Sequence, residues 1–181
     1  MRELFIFILI LWTPALAGND SSQTLEVVPS VELNRYTGKW YEIARLPNKF
    51  QNDCAGEVTA TYSLLEGGEL AVVNECRQKD GQASRAEGRA RLAAQGGPNS
   101  KLKVRFAPAW LSWLPSVWGD YWVVDLAPDY SFSVVGTPDR KYLWILSRTP
   151  RMDEAQYQRI IEQTAAKGFE ISRLIKTRQA V

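Results

Sequence analysis

The fold class predicted for this chain is all-β with one C-terminal helix: an eight-stranded, antiparallel, up-and-down β-barrel. Three observations predict it. Short segments alternate polar with apolar residues at period two, the mark of a strand with one buried and one wet face. Turn-forming clusters of Gly, Pro, Asn and Asp separate these segments at short, even spacing, the pattern of a sandwich or barrel. One segment, between Asp153 and Gly168, changes to helical period.

The elements follow in order. Residues 18–30 read as a flexible N-terminal arm, ahead of a barrel domain over 31–181. The first strand opens at Gly38-Lys39-Trp40-Tyr41-Glu42-Ile43. Glu57 to Leu64 alternates, with Val58, Ala60, Tyr62 and Leu64 inward. Glu66-Gly67-Gly68-Glu69 turns the chain, and Leu70 to Cys76 runs back. In that hairpin Cys54 and Cys76 stand roughly equidistant from the turn with matching parity, so a cross-strand disulfide is expected. Arg85 to Leu92 alternates with Glu87, Arg89 and Arg91 outward, and Ala86, Gly88, Ala90 and Leu92 inward, the first three of them small. Lys101 to Phe106 places its charges out and Leu102, Val104 and Phe106 in.

Ala107 to Trp118 breaks the pattern, with Pro108 and Pro115 against a long regular element. Tyr121–Leu126, Phe132–Val135 and Tyr142–Leu146 complete the strands, the first with Trp122 and Val124 inward and Tyr121, Val123 and Asp125 outward. Asp153 caps a helix over 153–167, whose stripe is Tyr157, Ile160, Ile161 and Thr164. Phe169 to Ile175 is a final extended segment.

Composition excludes several function classes. The 181 residues make one domain, and a net charge of +2 gives no electrostatic grip on nucleic acid. With no histidine there is no Ser-His-Asp or Cys-His nucleophile and no His-rich zinc site; neither metal nor cofactor is expected. Residues 1–17 read as an export signal: Arg2, an apolar run from Leu4 to Trp12, then Ala15-Leu16-Ala17 for cleavage. Gly18 and Asn19 follow, where a lipid-modified signal places cysteine. Export to the periplasm or medium, with at most peripheral contact with an outer membrane, is expected, and it favours the disulfide over two free thiols.

Three ordered segments carry a resemblance. Gly38-Lys39-Trp40-Tyr41 resembles the Gly-x-Trp-Tyr signature of lipocalins. Gly119 to Tyr130 resembles their second conserved region, with Pro-Asp-Tyr where the family has Thr-Asp-Tyr, and Tyr142 to Pro150 resembles the third, with its arginine at Arg148. Val58 to Leu64 is similar to the bacterial lipocalins related to apolipoprotein D. The resemblance implies a calyx closed at one end, with Gly38, Trp40 and Arg148 as structural residues and Arg148 lying across Trp40. It also implies a carrier of fatty acid or lysophospholipid for membrane maintenance, working as a monomer or weak dimer.

The inward set expected to bind ligand is Tyr62, Leu64, Val104, Phe106, Trp122, Val124 and Trp144. A solid core is the competing reading of the same residues. The protein is not expected to be an enzyme. The rival is a lipid-modifying enzyme on the same barrel, for which Glu42 is an inward carboxylate and Asp125 an outward one. An outer-membrane barrel would need Lys101, Lys103 and Arg105 to line the lumen, and Glu57 and the helix fit it poorly. In the Ala107–Trp118 segment, Trp110, Leu111, Trp113, Leu114 and Trp118 make either a lid over the barrel mouth or a docking loop for a lipid surface.

Overall fold

In a computed structural model, which describes residues 24–180, the strands lie where alternation places them. They are β1 (Gly38–Arg45), β2 (Cys54–Leu64), β3 (Leu70–Gln78), β4 (Ala83–Leu92), β5 (Lys101–Arg105), β6 (Gly119–Leu126), β7 (Phe132–Gly136) and β8 (Leu143–Ser147). Each pairs antiparallel with the next, and β1 pairs with both β8 and β2, so the sheet closes into a barrel. The export signal expected over 1–17 lies outside the described residues.

The two ends of the barrel differ. Gly38 pairs with Tyr62, so the start of β1 and the β2–β3 turn share one end. A short helix, α1 (Leu33–Tyr36), crosses that end and drives Tyr36 into it, leaving the residue 1% exposed. Trp40, with no exposed surface, donates from Nε1 to the Tyr36 carbonyl at 2.9 Å. This is the closed floor. The β1–β2, β3–β4, β5–β6 and β7–β8 connections gather at the opposite end, the mouth.

The helix α2 (Glu154–Ala166) starts at Asp153, whose carboxylate accepts from Gln156 N at 3.0 Å. Its buried stripe of Tyr157, Ile160 and Thr164 covers the outside of the barrel wall, against Val134, Leu143 and Ile145. The arm expected to be flexible is, in its described part, packed. Leu25 is 2% exposed in this outer cluster, and Val28 donates to the Val123 carbonyl. Asn99 clasps Val31 through both N–H and C=O at 2.7 Å. Leu25, Val27, Val28 and Val31 are the reason, since apolar residues this closely spaced gain more from docking on the barrel than from water.

The last segment does more than extend. A ninth strand, β9 (Ile175–Lys176), pairs with β1, and the chain beyond it enters the gap where β1 and β2 part near the mouth. Glu57 N donates to the Arg178 carbonyl at 2.7 Å, and Gln179 Nε2 donates to the carbonyls of Glu42 and Val58. The tail thus replaces the missing β1–β2 ladder. Gly56 permits it, because a Cβ there would lie 2.5 Å from the Arg178 carbonyl oxygen.

Candidate functional site

Register decides which side chains face the barrel interior. Leu102 pairs with Tyr121 and Lys101 with Trp122, so Tyr121 and Val123 point in and Trp122 points out. This corrects the inward reading of Trp122 and Val124. Trp122 lies on the outer wall under the Lys101 ammonium, 4.2 Å from its ring, and Val124 packs in the cluster beneath α2. Alternation misled here because it put Tyr121 and Val123 in phase with the outward Asp125, whereas the bulge between Val123 and Asp125 shifts that phase; Asp120, ion-paired with Lys103, marks the outer face that Trp122 and Val124 share. The same bulge returns Leu126 to the inner cluster. Leu64 is a second correction. It sits two residues past the Gly38↔Tyr62 pair, beyond the floor, and is 44% exposed.

The interior is filled at the floor and less tightly packed above it. Ala60, Tyr62, Leu70, Val72 and Leu102 are buried in one cluster with Trp40. Nearer the mouth the inner-facing Asn74, Val104, Tyr121 and Trp144 are only half-buried, and Ala86 is exposed. Phe106, just past β5 at the rim, is 42% exposed. In a closed barrel an inward side chain gains exposure only from space inside the wall or beyond its rim.

Below the floor, Arg148 lies across Trp40 with its guanidinium carbon 3.8 Å from the ring. It donates to the carbonyls of Arg35 (2.6 Å) and Lys39 (3.1 Å), and so ties α1 to β1. Gly38, at φ +93°, starts the strand beneath it, and a Cβ there would lie 3.3 Å from Arg148 Nη1. Inside, four hydroxyls form a chain: Ser133 to Tyr36 at 3.0 Å, Tyr36 to Tyr121 at 2.9 Å, Tyr121 to Tyr62 at 2.8 Å. Burial pushes all three tyrosines above the usual phenol range.

At the mouth, Glu42 and Arg45 both face inward and pair at 2.9 Å, nearly buried. Glu42 also accepts from Gln51 Nε2 at 2.6 Å and from the Thr177 hydroxyl of the tail. Gln51 Oε1 in turn accepts from Trp144 Nε1 at 2.9 Å and Asn48 Nδ2 at 2.8 Å. The Glu42 carboxylate is therefore occupied by three donors, the arrangement of a satisfied ion pair. Asp125 pairs with Val134 on the outer face. Cys54 and Cys76 form a disulfide on this half of the barrel, linking the start of β2 to the end of β3.

The segment between β5 and β6 holds two short 3₁₀ turns, Ala109–Leu111 and Pro115–Val117. Trp110 and Trp113 stand in solvent, 73% and 75% exposed, while Leu111 and Leu114 are half-buried. Trp118 turns away from the mouth, where the lid reading would have it. Its ring lies 3.9 Å from the Arg91 guanidinium and 5.3 Å from that of Arg105, on the outer wall, and its Nε1 donates to the Ser112 carbonyl. Strand parity explains this, since Trp118 directly precedes Gly119, which pairs with Val104 beside Arg105.

Several residues of the site were not singled out from the sequence. Tyr36 lies in a helix too short for periodicity to reveal, and Gln51 and Thr177 meet Glu42 only through the fold-back of the connection after β1 and the docking of the tail beside β1. Phe50, 66% exposed on the β1–β2 connection, adds an aromatic to the mouth beside Lys49. Asn74 had a readable signal, being the polar residue in the inward series Leu70, Val72, Cys76.

Comparison with known proteins agrees with this geometry. The profile of the lipocalin-like domain family matches residues 31–179. Temperature-induced lipocalin-1 of Arabidopsis thaliana is 42% identical over 157 residues, 86% of this chain and 83% of the plant protein. The outer membrane lipoprotein Blc of Vibrio cholerae is 33% identical over 181 residues, 99% of each chain. Among solved structures, insecticyanin of the tobacco hornworm superposes with a TM-score of 0.66 at 22% identity, covering 87% of this chain and 86% of its own, a likeness of fold. A closed antiparallel barrel, an arginine lying across the tryptophan of its first strand, and relatives of this identity and coverage lead to one assignment: the chain belongs to the lipocalin family.

Proposed function

We propose that the protein carries one long-chain lipid, a fatty acid or a lysophospholipid, in the open upper half of its barrel. The carrying observation is the exposure that inward residues retain between floor and mouth. The wall there is mostly apolar, with Val104, Tyr121, Trp144 and Phe106, and each CH₂ removed from water contributes about 0.8 kcal/mol. The family is one of barrels that bind small hydrophobic ligands, and among this chain's relatives are an outer membrane lipoprotein and apolipoprotein D. We place the protein outside the cytoplasm as a monomer or weak dimer, in the upkeep of membranes. The disulfide supports an oxidising compartment.

Loading takes place at a lipid surface. Trp110, Trp113 and Phe50 are the large apolar residues most exposed around the mouth, and they rise from two separate connections. Tryptophan favours the headgroup layer of a bilayer, and Lys49 beside Phe50 suits anionic lipid. An exposed apolar cluster at the opening of a lipid cavity places the cargo's exit against its destination.

Two measurements test the reading. Native mass spectrometry of gently purified protein should show one copy of lipid per chain, identified after solvent extraction. Replacing Trp110 and Trp113 by serine should lower liposome binding about tenfold or more and slow transfer between vesicles, with affinity for free fatty acid unchanged. A fall in free-ligand affinity with negligible wild-type liposome binding would assign the loop to closure of the mouth instead.

A further inference from the structure

The hydroxyl chain at the top of the floor has a fixed proton balance. The hydroxyls of Ser133, Tyr36, Tyr121 and Tyr62 are joined by three hydrogen bonds and make no others among the described residues. Each bond uses one of four hydroxyl protons. Whichever way the bonds point, one O–H is left without an acceptor. An unspent donor in an apolar enclosure costs about 1–3 kcal/mol until something accepts it. Tyr121, half-buried on the inner wall, is bonded to both neighbours and is the member of the hydroxyl chain set nearest the mouth half.

A complementary group stands one step toward the mouth. Ala60 pairs with Asn74 and Tyr62 with Val72, so Asn74 and Tyr62 are diagonal neighbours on the inner face of β2 and β3. Asn74 Oδ1 is shielded and has no hydrogen-bond partner among the described residues. The side chain is half-buried on the inner face, and its terminal torsion is broad, so the amide can rotate to meet a donor. The wall therefore offers one spare donor on the hydroxyl chain and one spare acceptor diagonally next to Tyr62, and no net charge. Arg148 is spent on carbonyls beneath Trp40, and Glu42 and Arg45 neutralise each other toward the mouth.

Resting on the carrier reading above, we infer that the barrel binds a long-chain carboxylic acid head-first, its carboxyl protonated between the Tyr62–Tyr121 hydroxyls and Asn74. The carbonyl oxygen accepts the unspent tyrosine proton, and the acid O–H donates to Asn74 Oδ1. A carboxylate would lack a counter-charge at this depth, and burial holds an unpaired carboxyl neutral. The raised tyrosine pKa values fit, since these hydroxyls stay donors throughout the physiological range. A lysophospholipid headgroup, large and charged, does not fit this layer.

The test uses delipidated wild-type protein with palmitic acid labelled with ¹³C at the carboxyl. One bound carboxyl resonance is expected, unchanged from pH 5 to pH 9 and not broadened by a paramagnetic chelate in solution. A bound resonance that titrates in that range and is broadened places the carboxylate at the mouth, near Arg45, and overturns the inference while leaving the carrier reading intact. If neither palmitic acid nor a lysophospholipid binds, the carrier reading falls with it. A second arm compares palmitic acid with its methyl ester, which lacks the donor. Wild type should prefer the acid about tenfold, and Asn74→Leu should remove that preference with ester affinity held. An unaltered preference in that variant also overturns the inference.

Discussion

At the scale of single residues, the floor shows what a charged side chain does for an apolar core. Arg148 covers the face of a fully buried tryptophan and holds two carbonyls of the segment that closes the barrel. The planar fork matters more than the charge, because a lysine ammonium cannot stack on the indole and reach both carbonyls at once. Arg148→Lys should cost about 1–2 kcal/mol in urea unfolding and leave ligand affinity unchanged, since Trp40 separates the arginine from the lumen. A loss of affinity without loss of stability would place Arg148 in the binding site. Trp122 is the opposite case, a tryptophan once expected in the lumen and now on the outer wall. Trp122→Ala should lower stability, on the order of 2 kcal/mol for a half-buried ring, with fatty-acid affinity retained. Weakened binding at unchanged stability would return it to the interior.

At the scale of elements, what was legible followed from what each pattern encodes. Strands with one wet face, such as Glu57–Leu64 and Lys101–Phe106, declare both their existence and their inner side, because alternation is the difference between two environments. The helix and its cap were equally plain. β6 declared its existence but not its inner side, since Asp120 and Asp125 stand on the same face at odd spacing and only the bulge between Val123 and Asp125 reconciles them. Of the site, Val104, Tyr62 and Trp144 were placed inward by parity, whereas the polar network around Glu42 was invisible. Its partners Gln51 and Thr177 are 9 and 135 residues away in the chain and meet it only when the connection after β1 folds back and the tail docks beside β1. The tail was readable as extended but not as a wall piece, because the β1–β2 gap it fills exists only in three dimensions. Truncation after Leu174 tests that role. It removes the hydrogen bonds to Ile43, Glu42, Val58 and Glu57, and should lower stability by about 2–4 kcal/mol while exposing the Glu42–Arg45 pair. Wild-type stability in the truncated protein would show that the β1–β2 edge closes without it.

Across the whole molecule, the two ends of the barrel are held by different means, and their responses should differ. The floor is a packed apolar plug of Trp40, Tyr36, Leu70 and Val72, each no more than 2% exposed. The mouth half leaves its inward side chains only half-buried, and is held by connections as well: the disulfide, the inserted tail and the Glu42–Arg45–Gln51 network. The Cys54–Cys76 bond closes a loop with a sequence separation of 22, which corresponds to roughly 3 kcal/mol of stabilisation through the unfolded chain. If that were its whole effect, reduction would lower protection from hydrogen exchange evenly in every amide that exchanges by global unfolding. The bond also pins the mouth ends of β2 and β3, just where Gly56 and Glu57 bulge to admit the tail and the ladder is irregular. Reduction should therefore add a local opening. Amides around Cys54–Val58, Asn74–Gln78 and the tail at Thr177 should exchange faster than the global loss of stability accounts for, while those of Leu70, Val72 and Leu102 report the global loss alone. Bound fatty acid should oppose the local opening, because it fills the space that the mouth strands enclose. Exchange measured on oxidised and reduced protein, with and without palmitic acid, separates the two contributions. A uniform change along β2 and β3 would reduce the disulfide to a constraint on the unfolded chain and remove it from the mechanics of the mouth.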